Sequence, residues 1–269
     1  MNKSLLKYVS ALLLFGSNGI VASLINMSSY EIVMFRTLIG SILLIILYLG
    51  FNKKLTFLHH KKSFVFLACS GVAMGISWIF LYEAYQQVGV SIASLGYYCG
   101  PVIVMAISPF IFKEKFTLQK ILGFIIVFIG ILLVNGNALE EAHISFGIFC
   151  ALMSAVMYSA MVSFNKKAEE IVGMENSTLQ LTIAFLSVFI FVMLKQGFHF
   201  AIHREDLLPL FFLGSVNTGL GCFLYFSSIG SIKVQTVAIL GYIEPLSAVL
   251  FSFIFLQETL LPLQIVGAC

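Results

Sequence analysis

The chain has 269 residues, 60% of them hydrophobic and only 10% charged, with a net charge of +3 and a mean hydropathy of +1.03. Soluble domains carry roughly 25% charged residues, so this composition excludes a water-soluble fold. The small positive charge is carried by loop lysines that report orientation, so no nucleic-acid partner is implied. At about 20 apolar residues per crossing of a roughly 30 Å hydrocarbon core, the chain holds nine or ten spans and no soluble domain.

The first apolar run covers 7–27. Its basic start and the small residues Val21-Ala22-Ser23 have the outline of a signal peptide, but the run has a counterpart in mid-chain and reads as a span. Ser17 and Asn18 lie near mid-depth between Gly16 and Gly19. They either line a cavity or act as hydrogen-bonding glue at a close helix contact. The second span, 30–50, contains Arg36, the one basic residue predicted inside the bilayer. The basic loop that follows, with His59 and His60, is expected to touch anionic lipid.

Span three, 64–86, carries Trp78, Tyr82 and Gln86 at four-residue spacing, which puts them on one helix face as cavity lining or packing. Glu83, near its outer end, matches Arg36 in depth, and a buried charge needs a partner, so the two are expected to pair, as a static ion pair or an outer gate. Span four, 90–112, holds Tyr97, Tyr98 and Pro101, where proline interrupts helical hydrogen bonding as a hinge or a fixed kink. Spans five, six and seven are predicted at 118–136, 144–165 and 176–195. Span eight, 207–229, repeats the mixed stripe as Asn217, Gly221 and Tyr225.

Span nine, 232–256, contains Tyr242, Glu244 and Pro245, with Glu244 about 18 Å from the inner end and so near the midplane. A carboxylate there costs about 2.5 kcal/mol or more to insert. It is expected to bind a substrate amine or a proton, or to serve helix packing, while Pro245 frees a backbone carbonyl beside it. The tenth run, Leu261–Cys269, reaches only about 14 Å and is expected to continue for a further 10–20 residues or so.

Helices rather than barrel strands are indicated, because the runs are long and do not alternate. With the amino terminus inside, inner segments hold twelve lysines and outer segments only Lys195 and Arg204, a strong positive-inside bias. Pro101, Glu114 and Gly123 recur as Pro245, Glu258 and Gly267, each displaced by 144 residues, and Glu31 recurs as Glu175. Residues 1–142 and 143–269 therefore read as two five-helix repeats, and an odd number of helices makes them inverted in topology. Glu114 and Glu258 are expected to support the starts of the helices that follow them. Five cysteines without paired spacing read as small apolar residues. His199 and His203 have metal-like spacing but no third ligand, so neither a metal nor a cofactor is expected.

The Gly16-Ser17-Asn18-Gly19 cluster, Arg36, the repeated proline, glutamate and glycine, and Glu244-Pro245 resemble the EamA-like drug/metabolite transporters over the whole chain. The resemblance implies a ten-helix bundle in the bacterial inner membrane with cytoplasmic termini and a central cavity. It implies alternating-access transport of a small-molecule substrate such as an amino acid, often outward, with protons as a candidate coupling ion. A monomer satisfies this reading. The weaker alternatives are a carrier of phosphorylated metabolites or nucleotide sugars, short of basic groups here, and a non-transporting sensor or assembly protein. No nucleotide-binding loop or cluster of catalytic acids supports an enzyme.

Overall fold

The computed structural model describes residues 3–51, 55–114, 146–198 and 202–255, together with positions 122, 125, 129 and 200. Among these residues all regular structure is helical, as hydrocarbon demands of a chain that must satisfy its own backbone. The elements are α1 (Lys3–Gly16), α2 (Asn18–Ala22), α3 (Ser29–Gly50), α4 (Lys61–Tyr97) and α5 (Cys99–Phe112). They continue with α6 (Phe146–Lys167), α7 (Gly173–Gln196), α8 (Arg204–Phe212), a π-helical stretch (Leu213–Leu220), α9 (Gly221–Ile229), α10 (Val234–Leu240) and α11 (Ile243–Phe255). Among the described residues six helical stretches are long and apolar enough to cross a membrane: Lys3–Ala22, Ser29–Gly50, Lys61–Val88, Phe146–Lys167, Gly173–Gln196 and Arg204–Ile229. Span five apart from positions 122, 125 and 129, the stub of span ten, Gly123, Glu258, Gly267 and His199 lie outside the described residues.

Helical hydrogen bonding in α4 runs on to Tyr97, but the chain turns back between Val88 and Ala93, close to the expected break: Gly147 at the start of α6 packs on Gln87 and Val88, whereas Ala151, further along α6, packs on Gly96. A helix interruption follows at Tyr98, and Pro101 is the third residue of α5. Pro245 likewise stands third in α11. The first backbone N–H groups of a helix have no intrahelical acceptor, so a proline there sacrifices no hydrogen bond.

Contacts between helix ends define two faces. On the face that carries Lys3, Glu175 at the start of α7 accepts hydrogen bonds from the Thr56 N–H at 2.7 Å and the Phe57 N–H at 2.9 Å. On the same face His60 lies 3.1 Å from Glu170, and Lys166 Nζ donates to the carbonyls of Ile229, Gly230 and Ile232. On the opposite face the Asn26 N–H donates to Asp206 at 2.7 Å, and Lys195 meets Glu83 at 3.1 Å. Successive long helices therefore run in alternating directions.

Small residues set the helix spacing, since apolar driving force between helices is weak in lipid. Ser77 on α4 and Ser154 on α6 each donate to the other's backbone carbonyl, at 2.9 and 2.8 Å. A Cβ at Gly71 would stand 2.7 Å from Ile183 Cβ and 3.0 Å from the Gln180 carbonyl, so α4 reaches α7 there only without a side chain. The largest buried cluster joins Tyr8 and Leu12 of α1 to Val104, Tyr158, Tyr225 and Val237.

Candidate functional site

Three helix interruptions and one widened turn surround the centre of the bundle. The first is at Ser17, whose hydroxyl donates to the Leu14 carbonyl at 2.7 Å. Asn217 Nδ2, from the π-helical stretch, reaches the same carbonyl at 3.0 Å, Ser17 Oγ at 2.8 Å and Asn18 Oδ1 at 3.1 Å. The acceptors released by the break in α1 are thus engaged by a neighbouring helix. Gly16 makes the approach possible: a Cβ there would lie 2.9 Å from the Glu244 carbonyl and 3.0 Å from the Ala248 nitrogen of α11. The second and third interruptions, at Tyr98 and at Gly241–Tyr242, touch each other, because the Tyr242 hydroxyl donates to the Tyr98 carbonyl at 3.2 Å.

Between these interruptions lies a cavity of about 490 Å³, a size common among small-molecule sites. Eight residues singled out from the sequence line it: Asn18, Arg36, Trp78, Tyr82, Tyr97, Tyr98, Tyr225 and Glu244. Arg36 Nε donates to Thr218 Oγ1 at 2.8 Å, with longer contacts of 3.4 Å from Nη1 to the Tyr82 hydroxyl and from Nη2 to Asn18 Oδ1. Its guanidinium lies 5.2 Å from the Trp78 ring centroid, within reach of the ring's negative face. The Glu244 carboxylate has no hydrogen-bond or ion-pair partner among the described residues.

The cavity is sided. Ala22, Ser23 and Ser29, at helix ends on the face opposite Lys3, and Gln86, next to the turn of the chain within α4, belong to its lining. Toward the Lys3 face it is closed by a tyrosine floor, with Tyr158 and Tyr225 hydroxyls 3.3 Å apart and the Tyr8 hydroxyl donating to the Val237 carbonyl at 2.9 Å. Below the floor, Gln235 Nε2 donates to Ser108 Oγ at 3.1 Å, and Glu114 accepts from the N–H groups of Val234 and Gln235 at 2.8 and 3.2 Å. Glu114 therefore caps α10; the start of the helix that follows it in sequence lies outside the described residues. Lys113, in a left-handed conformation at φ 54°, turns the chain at the end of α5, and the carboxylate reaches across to α10.

The remaining candidates stand outside the lining. Ser17 and Asn217 are part of the break in α1, Tyr242 braces Tyr98, and Pro101 and Pro245 are buried at the starts of α5 and α11. Arg36 and Glu83 do not pair, which corrects the expectation drawn from their depth. Glu83 follows Tyr82 by one residue, about 100° around the helix, and turns away from the cavity to Lys195 and to Gln87 at 3.0 Å. A double-mutant cycle is expected to return no coupling between Arg36 and Glu83, and about 0.2–1 kcal/mol between Glu83 and the part-exposed Lys195.

Sequence reasoning missed Tyr85, Ser94, Tyr158 and Cys222, which also line the cavity. Tyr85 lies three residues beyond Tyr82, a spacing that shares a helix face. Tyr158 sits on α6, whose span has no glycine cluster to draw attention to it. Among the described residues no three His, Cys, Asp or Glu side chains are grouped to hold a metal ion.

An all-helical bundle with apolar crossings and interrupted helices around a central cavity has the organisation of a membrane transporter. The EamA-like transporter family model matches residues 2–136 and again 145–269, and the chain belongs to that family. It is similar to the uncharacterized transporter YxxF of Bacillus subtilis, 23% identical over 261 residues that cover 94% of this chain and 81% of the relative. It is also similar to a probable amino-acid metabolite efflux pump of Salmonella typhimurium, 25% identical over 193 residues, covering 66% of this chain and 63% of the pump. A crystal structure 14% identical in sequence superposes with a TM-score of 0.83, covering 98% of this chain and 92% of the other, so the two share a fold.

Proposed function

We propose that this membrane transporter is a secondary carrier that exports small metabolites, amino acids among them, across the bacterial inner membrane by alternating access. The observation that carries the reading is the sided cavity: it reaches the face opposite Lys3, is shut toward the Lys3 face, and holds one acid and one base among aromatic walls. The lysine distribution supports a cytoplasmic Lys3 face, which makes this conformation outward-open. The outward direction of net flux rests on the name of the Salmonella relative.

Two inverted five-helix repeats, 1–142 and 143–269, in a ten-helix bundle are the architecture this mechanism uses. The double match of one family model and the contact between Tyr242 and Tyr98, 144 residues apart, support it. Among the described residues, Arg36 is the one basic residue lining the cavity. Phosphorylated substrates call for several cationic donors, which disfavours that alternative. Glu244 is the candidate proton carrier, and Pro101 and Pro245 mark the candidate hinges.

The test is reconstitution in proteoliposomes with a panel of radiolabelled amino acids, with and without a pH gradient. Uptake of at least one amino acid above protein-free vesicles is expected. Vesicles that carry none of them, but do carry a sugar phosphate or a nucleotide sugar, would overturn the reading in favour of the phosphorylated class.

A further inference from the structure

Arg36 is 4% exposed and carries a permanent charge, yet every hydrogen-bond partner it has among the described residues is neutral. A guanidinium offers five N–H donors in a planar fork matched to a carboxylate. Only Nε is bonded at short range here, while both Nη groups make single contacts of 3.4 Å and line the cavity. Glu244 lines the same cavity from the first turn of α11, and no ion pair joins it to Arg36. Unpaired charges cost most where water is scarce, so a cavity holding one of each sign is complementary to a molecule holding one of each sign.

The position of Arg36 traces to the π-helical stretch. Thr218 Oγ1 donates to the Leu213 carbonyl, five residues back, at 2.8 Å, and it accepts from Arg36 Nε. An ordinary α-turn would direct that carbonyl to residue 217, so the added residue per turn aims the Thr218 side chain at α3. Such insertions are frequent at functional sites. Gly40 and Gly219 bring α3 and this stretch together, since a Cβ at Gly40 would stand 3.1 Å from the Gly219 nitrogen. The hydroxyl leaves the Nη edge turned to the cavity and the face of the guanidinium over Trp78.

We infer that the cavity recognises a zwitterion, with Arg36 binding its carboxylate, Glu244 its ammonium group, and Thr218 of the π-helical turn positioning Arg36. This rests on the transport reading and narrows it: the substrate carries both groups at once, and its uncharged remainder faces Trp78 and the tyrosines. A dicarboxylate meets one cation and one anion, and is rejected.

The experiment uses the full chain in proteoliposomes and measures inhibition of labelled leucine or phenylalanine exchange by close analogues. Unlabelled leucine competes, whereas leucinamide, which lacks the carboxylate, and N-acetyl-leucine, which lacks the ammonium group, each need at least about tenfold more. Thr218→Val, matched in size but without the hydroxyl, raises the half-saturating concentration about tenfold with little change in maximal rate, and Thr218→Ser recovers most of it. Arg36→Lys keeps the charge but loses the fork, and binds more weakly still. Amide or acetylated analogues that compete as well as leucine overturn the inference without touching the transport reading, as does carriage of non-zwitterionic solutes alone. Absence of any flux removes both. The analogue comparison is made on the unmodified protein, so it stands even where a variant does not fold.

Discussion

Replacement of Glu244 by glutamine should lower the initial rate of solute exchange at least about tenfold, equivalent to about 1.4 kcal/mol of lost stabilisation, and should make the residual rate insensitive to pH. Glutamine keeps the shape of the side chain and removes its charge and its exchangeable carboxyl proton, so it separates function from packing. Packing around this residue is carried by its backbone: its carbonyl lies against Gly16 and accepts from Ser247 Oγ at 2.8 Å. The side chain faces the cavity, at the start of a helix where negative charge is favoured by the backbone dipole. The measurement is exchange by wild-type and Glu244→Gln proteoliposomes at acid and alkaline pH. Equal rates at every pH would assign Glu244 to structure alone.

Glu114 should have the second large effect, through the closure beneath the cavity. Its two hydrogen bonds to the first N–H groups of α10 are charge-assisted and join α5 to α10 where the bundle is shut. Hydrogen bonds to charged groups contribute about 1.5–3 kcal/mol each. Loss of about 2 kcal/mol from the outward-open state alone shifts the balance toward the inward-open state by roughly 30-fold. In a background with the native cysteines replaced, Cys222 of the cavity lining among them, a single cysteine at Ser94, which also lines the cavity, reports this shift. A membrane-impermeant maleimide added at the face opposite Lys3 should label it readily in the parent protein, and several-fold more slowly after Glu114→Ala. Unchanged labelling would mean that the floor of Tyr8, Tyr158 and Tyr225 keeps the cavity shut without help.

Much of this site was legible because hydrocarbon leaves few options for a polar group. Glu244, Asn18, Arg36 and the tyrosines of spans three, four and eight stand out against an apolar background, and a polar side chain at mid-depth must face a cavity or a partner. Depth is set by counting residues and needs no tertiary information. Direction around the helix is not set that way, and Glu83 illustrates the limit: one step beyond Tyr82 it faces Lys195 instead of Arg36. The π-helical turn was invisible because Leu213–Leu220, despite its two glycines and its Ser, Asn and Thr, carries nothing that separates a π-turn from an α-turn, whereas the packing against α3 is a tertiary feature.

The repeat guided the reading in a different way. It directed attention to Pro101 and Pro245, and the structure has helix starts two residues before each in place of kinks in continuous helices. Glu114 was recognised as a helix-capping acid, and the helix it is seen to cap is α10, more than a hundred residues further along the chain. Sequence proximity does not point to that partner, which the carboxylate reaches after the turn at Lys113. Tyr158 belongs to the same class of omission: its role depends on neighbours contributed by α1 and α9.

Alternating access through the central cavity is most directly tested by counterflow. Proteoliposomes are loaded with unlabelled amino acid, diluted into a trace of the same labelled compound, and followed without any ion gradient. A carrier that exposes one site to each side in turn must accumulate label transiently above its equilibrium level, and that overshoot is the predicted result. Label that rises only to equilibrium, as through a pore, or does not enter at all, would contradict it.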